Sequence, residues 1–202
     1  MAVKLAVIYY SSTGANFKMA SHAAETARQA GAEVRLVRVK ETAPPEAIRQ
    51  NPAWQAHHDA TQDVPLASLD DIVWADAVIF STPTRFGNVT SQMQAFLDTA
   101  GGIWFRGETM NKVVSVMSSA SNTHGGQEAT VLSLYRTMYH WGTIVVPPGY
   151  TDEVVSQAGG NPYGTTATVD GEGNFSDSVL PAVAHQTKRV LQVASWIKAG
   201  QG

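Results

Sequence analysis

Lys4-Leu5-Ala6-Val7-Ile8-Tyr9-Tyr10-Ser11-Ser12-Thr13-Gly14-Ala15-Asn16 is the stretch on which the fold turns. Residues 4–10 are almost continuously apolar, the pattern of a strand covered on both faces; a half-exposed strand alternates instead. The small, hydroxyl-rich residues 11–16 follow at once. Phe17, Ala20, Ala24 and Ala27 then recur at helical spacing, with Gly31 placed to stop the helix. Free N–H groups at such a helix start, with the helix dipole, favour an anion by up to ~2 kcal/mol in a partly enclosed site. The hydroxyls of Ser11 and Thr13 add donors, and Gly14 lets a ligand approach the backbone. No Lys or Arg lies in the turn. That suits a monophosphate held by neutral dipoles better than a triphosphate with Mg²⁺. The Walker motif and the Gly-x-Gly-x-x-Gly fingerprint are both missing. Taken alone, the turn is equally an ordinary helix cap, because Ser, Thr, Asn and Gly favour that position.

Working outward, the pattern predicts strands over residues 34–39, 77–81, 113–117 and 143–146. Helices are expected over 69–74, 89–99 and 128–141, and a last one opening near Pro181. Gly101-Gly102 is expected to end the 89–99 helix. Residues 40–66 hold Pro44, Pro45, Pro52 and Pro65 and read mostly as loop, with a short helix near Trp54. Buried strands alternating with amphipathic helices specify an open, five-stranded parallel sheet with helices on both faces. The chain reads as one domain over residues 1–202, with an insertion around 150–176 that is too long for a simple connector.

Bulk properties narrow the function. The chain has 202 residues, 44% of them hydrophobic and 15% charged, with net charge −3. That composition describes an ordered globular protein. No basic cluster supports a nucleic-acid partner. The absence of cysteine excludes disulfides and thiol chemistry. No apolar run reaches the ~20 residues that span a bilayer, and no signal-peptide pattern opens the chain, so a cytoplasmic location is expected. His57 and His58 are adjacent, but lack the spaced third ligand of a metal site.

Ligands of such sheets bind beyond the carboxyl ends of the strands. After the third strand comes Pro83-Thr84-Arg85-Phe86-Gly87-Asn88, where Phe86 can lie on a flat ring and Arg85 beside a phosphate or carbonyl. After the fourth comes Ser118-Ser119-Ala120-Ser121-Asn122-Thr123-His124-Gly125-Gly126-Gln127-Glu128, again small and polar and again opening a helix. Three such loops at neighbouring strand ends point to one ligand spanning the sheet edge. His124 either meets that ligand or is solvated.

With Gly101-Gly102-Ile103-Trp104 and Pro162-Tyr163-Gly164, these elements resemble the WrbA-type (Trp-repressor-binding-protein-like) NAD(P)H:quinone oxidoreductases, in order and spacing over almost the whole chain. The resemblance implies a flavodoxin-like fold and non-covalent FMN. The phosphate would lie in the turn formed by Ser11, Ser12, Thr13, Gly14, Ala15 and Asn16. The isoalloxazine would lie against Pro83, Thr84, Arg85, Phe86, Gly87 and Asn88 and the loop of Ser119, Ala120, Ser121, Asn122, Thr123, His124 and Gly125. It further implies that Trp104 and His140 line the open flavin face, and that the chain forms a homotetramer whose subunits share active sites. NADH or NADPH would reduce the flavin and leave, and a quinone would then take its place for two-electron reduction, a ping-pong order. On the residues alone, Trp104 is equally an interface anchor and His140 equally a helix-end histidine. The family often has an aromatic where Thr13 stands, and its fourth-strand loop is a residue shorter. An electron-carrier flavodoxin and a non-enzymatic FMN-binding regulatory protein are the competing readings; the modest net charge argues against the carrier.

Overall fold

The structure is a computed structural model describing residues 2–200. Its sheet is built on β1 (Lys4–Tyr9), β2 (Glu33–Arg38), β3 (Ala77–Pro83), β4 (Val113–Ala120) and β5 (Ile144–Val145), in the order β2-β1-β3-β4-β5 and parallel throughout. The run after Lys4 is buried along its length, as a two-sided strand must be. Alternation nevertheless decides which face each residue serves. Leu5, Val7 and Tyr9 pack under α1 (Ala15–Gln29) and the C-terminal α9 (Val179–Gly200). Ala6, Ile8 and Tyr10 pack on the opposite core with α4 (Leu69–Trp74), α5 (Ser91–Asp98) and α7 (Gln127–His140). Truncating a wholly buried member such as Phe80 to Ala costs about 3–5 kcal/mol.

The fifth strand position is shared. β5 pairs with the start of β4 through Val113↔Ile144, whereas β6 (Thr166–Thr168) pairs with its end through Ser118↔Thr166. The sheet therefore has a sixth strand beyond the five expected, and residues 146–165 leave it between the two segments. This excursion carries α8 (Glu153–Gln157).

Two sequence expectations need correction. Gly101 and Gly102 do not end a helix: α5 stops at Asp98, and these glycines open α6 (Gly101–Phe105) without positive φ. Residues 40–66 contain two helices, α2 (Pro45–Arg49) and α3 (Pro52–Ala60). Pro45 and Pro52 occupy their first positions, where a missing N–H costs nothing, and Asn51 caps α3 by accepting from the N–H of Ala53 and Trp54. The last helix opens near Pro181 as expected: α9 begins at Val179 and carries the proline in its first turn.

Candidate functional site

The three strand-end loops meet at one cleft of about 190 Å³, lined by Ser11, Ser12, Thr13, Ala15 and Asn16, by Pro83, Thr84 and Arg85, and by Ser119, Ala120 and Ser121. Its floor is stitched by hydrogen bonds between neighbouring loops. Thr84 donates its N–H to the Ser119 carbonyl, and the Ser118 hydroxyl donates to the Thr82 carbonyl.

The phosphate-type turn is built as the sequence suggests, except for Asn16. Gly14 caps α1 at φ 98°, a left-handed conformation that glycine adopts without strain, and its N–H donates to Ser11 Oγ. Among the described residues, the N–H groups of Ser11, Ser12, Thr13, Ala15 and Asn16 have no protein acceptor, and no acidic side chain occupies the first turn of α1. Asn16 itself is only 1% exposed. Its side-chain amide donates to Ser81 Oγ at 3.1 Å and accepts from Ser119 Oγ at 2.6 Å. The Asn16 and Ser119 side chains are therefore struts tying the turn to β3 and β4, leaving only the Asn16 N–H to face the cleft.

The third-strand run forms a tight reversal. Arg85 and Asn88 exchange backbone hydrogen bonds, while Phe86 (φ 54°) and Gly87 (φ 79°) both lie in the left-handed region. That conformation is uncommon for a bulky residue and marks a constrained turn. Phe86 is fully exposed, an aromatic held out beside the cleft. Two contacts clamp the reversal to α7. Thr130 Oγ1 donates to Thr84 Oγ1 at 2.8 Å, and a Cβ on Gly126 would come within 2.7 Å of Gly87 Cα.

The fourth-strand loop divides. Ser119, Ala120 and Ser121 line the cleft, and Gly125 folds back onto Ala120. Thr123 and His124 line a neighbouring cavity of about 400 Å³ with Gln127, Glu128 and Asn161. Asn122 lines neither cavity; its carbonyl accepts from the Gln127 side chain.

One more wall comes from the insertion around 150–176. Val169, Asp170 and Gly171, directly after β6, line the same cleft. Asp170 accepts from the N–H groups of Glu172 and Asn174, and a Cβ on Gly173 would run into the Thr13 carbonyl. The turn thus lies directly on Thr13. Its one legible signal was the Asp170-Gly171 pair, a common turn dipeptide.

Trp104 and His140 are not at the cleft. They lie together, with the Trp104 indole N–H donating to the His140 carbonyl at 2.8 Å. His140, however, ends α7, whose other end carries Gln127 beside the cleft loops. The helix puts about 20 Å between them, at 1.5 Å per residue. Trp104, Phe105, Met110 and Tyr139 are all exposed around this far end.

A parallel sheet ordered β2-β1-β3-β4-β5, with a turn of unpartnered N–H groups after β1 and a cleft at the strand ends, defines a flavodoxin-like protein. The NADPH-dependent FMN reductase family model matches residues 3–153, and the chain belongs to that family. A Deinococcus radiodurans protein named NAD(P)H dehydrogenase (quinone) is 50% identical over 193 residues, covering 96% of both chains. A protein of the same name from Aromatoleum aromaticum is 40% identical over 209 residues, covering 98% of this chain and 99% of its own. Among solved structures, a WrbA-like flavodoxin from Agrobacterium tumefaciens superposes with TM-score 0.68 over 96% of this chain and 99% of its own, at 19% identity. That likeness extends to the fold.

The cleft fits FMN by its donor set. Unpartnered N–H groups at a helix start, without a cation for a triphosphate or an acid to repel, match a phosphomonoester. The cleft is open to solvent on one side in the single chain. Among the described residues no helix is long and apolar enough to cross a membrane, and no group of three metal-binding side chains occurs.

Proposed function

We propose that this chain is an FMN-dependent NAD(P)H:quinone oxidoreductase, working as a homotetramer in the cytoplasm, where its nicotinamide donor circulates. The observation that carries the reading is the convergence of three strand-end loops on a turn of unpartnered N–H groups. The names of the D. radiodurans and A. aromaticum relatives support the reaction.

When bound, FMN supplies the redox chemistry, accepting two electrons from NADH or NADPH and yielding them to a quinone. The protein binds and orients. N–H groups of residues 11–16 hold the phosphate. The constrained reversal of residues 83–88 presents main-chain groups and Phe86 to the ring system. Ser119, Ala120 and Ser121 close the opposite wall, with Val169, Asp170 and Gly171 beside them.

In this reading a second copy covers the open side of the site. Trp104 and His140 are about 20 Å from the cleft of their own chain, so they serve a site only by facing the cleft of a neighbour. The exposed residues around them form an apolar patch that suits an interface. There Trp104 would cover the ring, and His140 would hydrogen-bond the quinone oxygen. One covered face serving both substrates in turn yields ping-pong kinetics.

The test is FMN reconstitution followed by anaerobic NADH titration and steady-state assay with benzoquinone. Bleaching of the flavin spectrum and parallel double-reciprocal lines are expected. A bound flavin that nicotinamide cannot reduce would refute the enzyme and favour an electron carrier.

A further inference from the structure

We infer that His57 is the cation the phosphate turn lacks, standing behind Gly14 and strengthening the hold on the FMN phosphate when protonated. The inference rests on the proposed FMN site. His57 stands on α3, the short helix around Trp54. Asn51 and Pro52 start it, and one face of it comes to rest against α1. Phe17 stacks at 5.3 Å on Tyr9, and the His57 ring packs at 5.5 Å on Phe17. This ladder brings His57 Nδ1 within 3.6 Å of the point that a Cβ on Gly14 would occupy. A side chain from a separate segment thus backs a turn that itself carries no cation.

The surrounding groups leave His57 uncommitted. Ser11, Tyr9 and His57 share a small cleft of about 30 Å³ with Tyr10, Arg38, Glu41, Trp54 and His58. Arg38 is spent on the carbonyls of Val64 and Gln62. Glu41 is spent on Tyr10, Trp54 and Gln92. His58 and Asp59 pair with each other. Among the described residues neither ring nitrogen of His57 has a partner, and the buried Tyr9 hydroxyl beside it has none either. Burial, then the neighbouring His58, hold the His57 imidazole below its usual range, so it is neutral near pH 7 in the free protein. A phosphate dianion nearby favours the protonated form, so FMN binding takes up a proton there.

The experiment compares FMN and riboflavin affinities of the wild type, His57→Gln and His57→Lys, by flavin-fluorescence titration between about pH 5.5 and 8.5. The phosphate of free FMN titrates in the same range and identically for every variant, so it cancels in the ratios, which report the coupling between His57 and the bound phosphate. The ratio of His57→Gln to wild-type dissociation constants for FMN should approach about tenfold at the acid end, as for a bound-state rise of one pKa unit. It should vanish at the alkaline end. Riboflavin, which lacks the phosphate, should bind all three proteins with unchanged relative affinity, and His57→Lys should hold FMN tightly across the range. Parallel pH profiles for wild type and His57→Gln would overturn the inference and leave the FMN site intact. An equal loss for riboflavin would also overturn it, by showing that His57 serves packing. Wild type that binds no FMN would overturn the site itself.

Discussion

Asn16→Ala separates two meanings of the first turn, as a set of ligand contacts and as a structure held in place. The Asn16 amide makes two buried side-chain hydrogen bonds, to Ser81 at 3.1 Å and from Ser119 at 2.6 Å. Each bond contributes about 1 kcal/mol net. Removing the amide also strands the Ser119 hydroxyl, itself 2% exposed, for about 1–3 kcal/mol more. Ser81 keeps its bond to the Asn16 carbonyl, and alanine's better helix propensity returns roughly half a kcal/mol. The expected net loss is about 2–4 kcal/mol. For a chain of this length that lowers Tm by roughly 5–15 °C. Differential scanning fluorimetry of the FMN-free protein reads the stability, and fluorescence titration reads the FMN affinity. If Asn16 is a strut, the FMN-free protein itself melts early and affinity falls with it. An unchanged melting temperature with a weakened FMN affinity would refute this reasoning and make Asn16 a direct ligand contact.

Three further outcomes are expected. Phe86→Ala should leave Tm within about 1 °C of wild type, because the side chain is fully exposed and its truncation slightly relaxes the left-handed turn; FMN affinity should fall several-fold in the same titration. Gly126→Ala should cost about 2–4 kcal/mol in urea unfolding, since φ 86° is costly for alanine and its Cβ would sit 2.7 Å from Gly87 Cα. Glu41 tests pH dependence: burial opposes its ionisation, but donors from Ala43, Gln92, Tyr10 and Thr42 outweigh that and hold its pKa below the ordinary 4.5. The unfolded chain therefore binds that proton more readily. The stabilisation is present above about pH 4.5 and is lost as pH falls through the lower folded-state value. Acid unfolding followed by circular dichroism should show a shallower loss over that window in Glu41→Gln.

What could be read from the chain follows range of interaction. The apolar run closing at Tyr10, the hydroxyl-rich turn and the alanine-spaced helix are local signals, and each specifies its own element. So do the Pro-Thr-Arg-Phe-Gly-Asn reversal and the loop before α7. Pro45 misled where only its position mattered: it read as a breaker but starts a helix, whereas the helix expected near Trp54 is α3. Gly101-Gly102 misled in the same way, because a glycine ends a helix only if the chain there turns left-handed.

By itself, then, the sequence determined the parallel sheet, the hydroxyl-rich turn that opens α1 and the loops that share its cleft. Only the tertiary structure decided what each side chain there does. It turned Asn16 inward as a strut, brought His57 from α3 behind Gly14, and closed the cleft with Val169, Asp170 and Gly171. It also set Trp104 and His140 at the far end of α7. Periodicity and turn chemistry act over a few residues and are written in the order of the chain. Which remote groups meet depends on how helices of particular lengths stack on the sheet, and no local pattern encodes that.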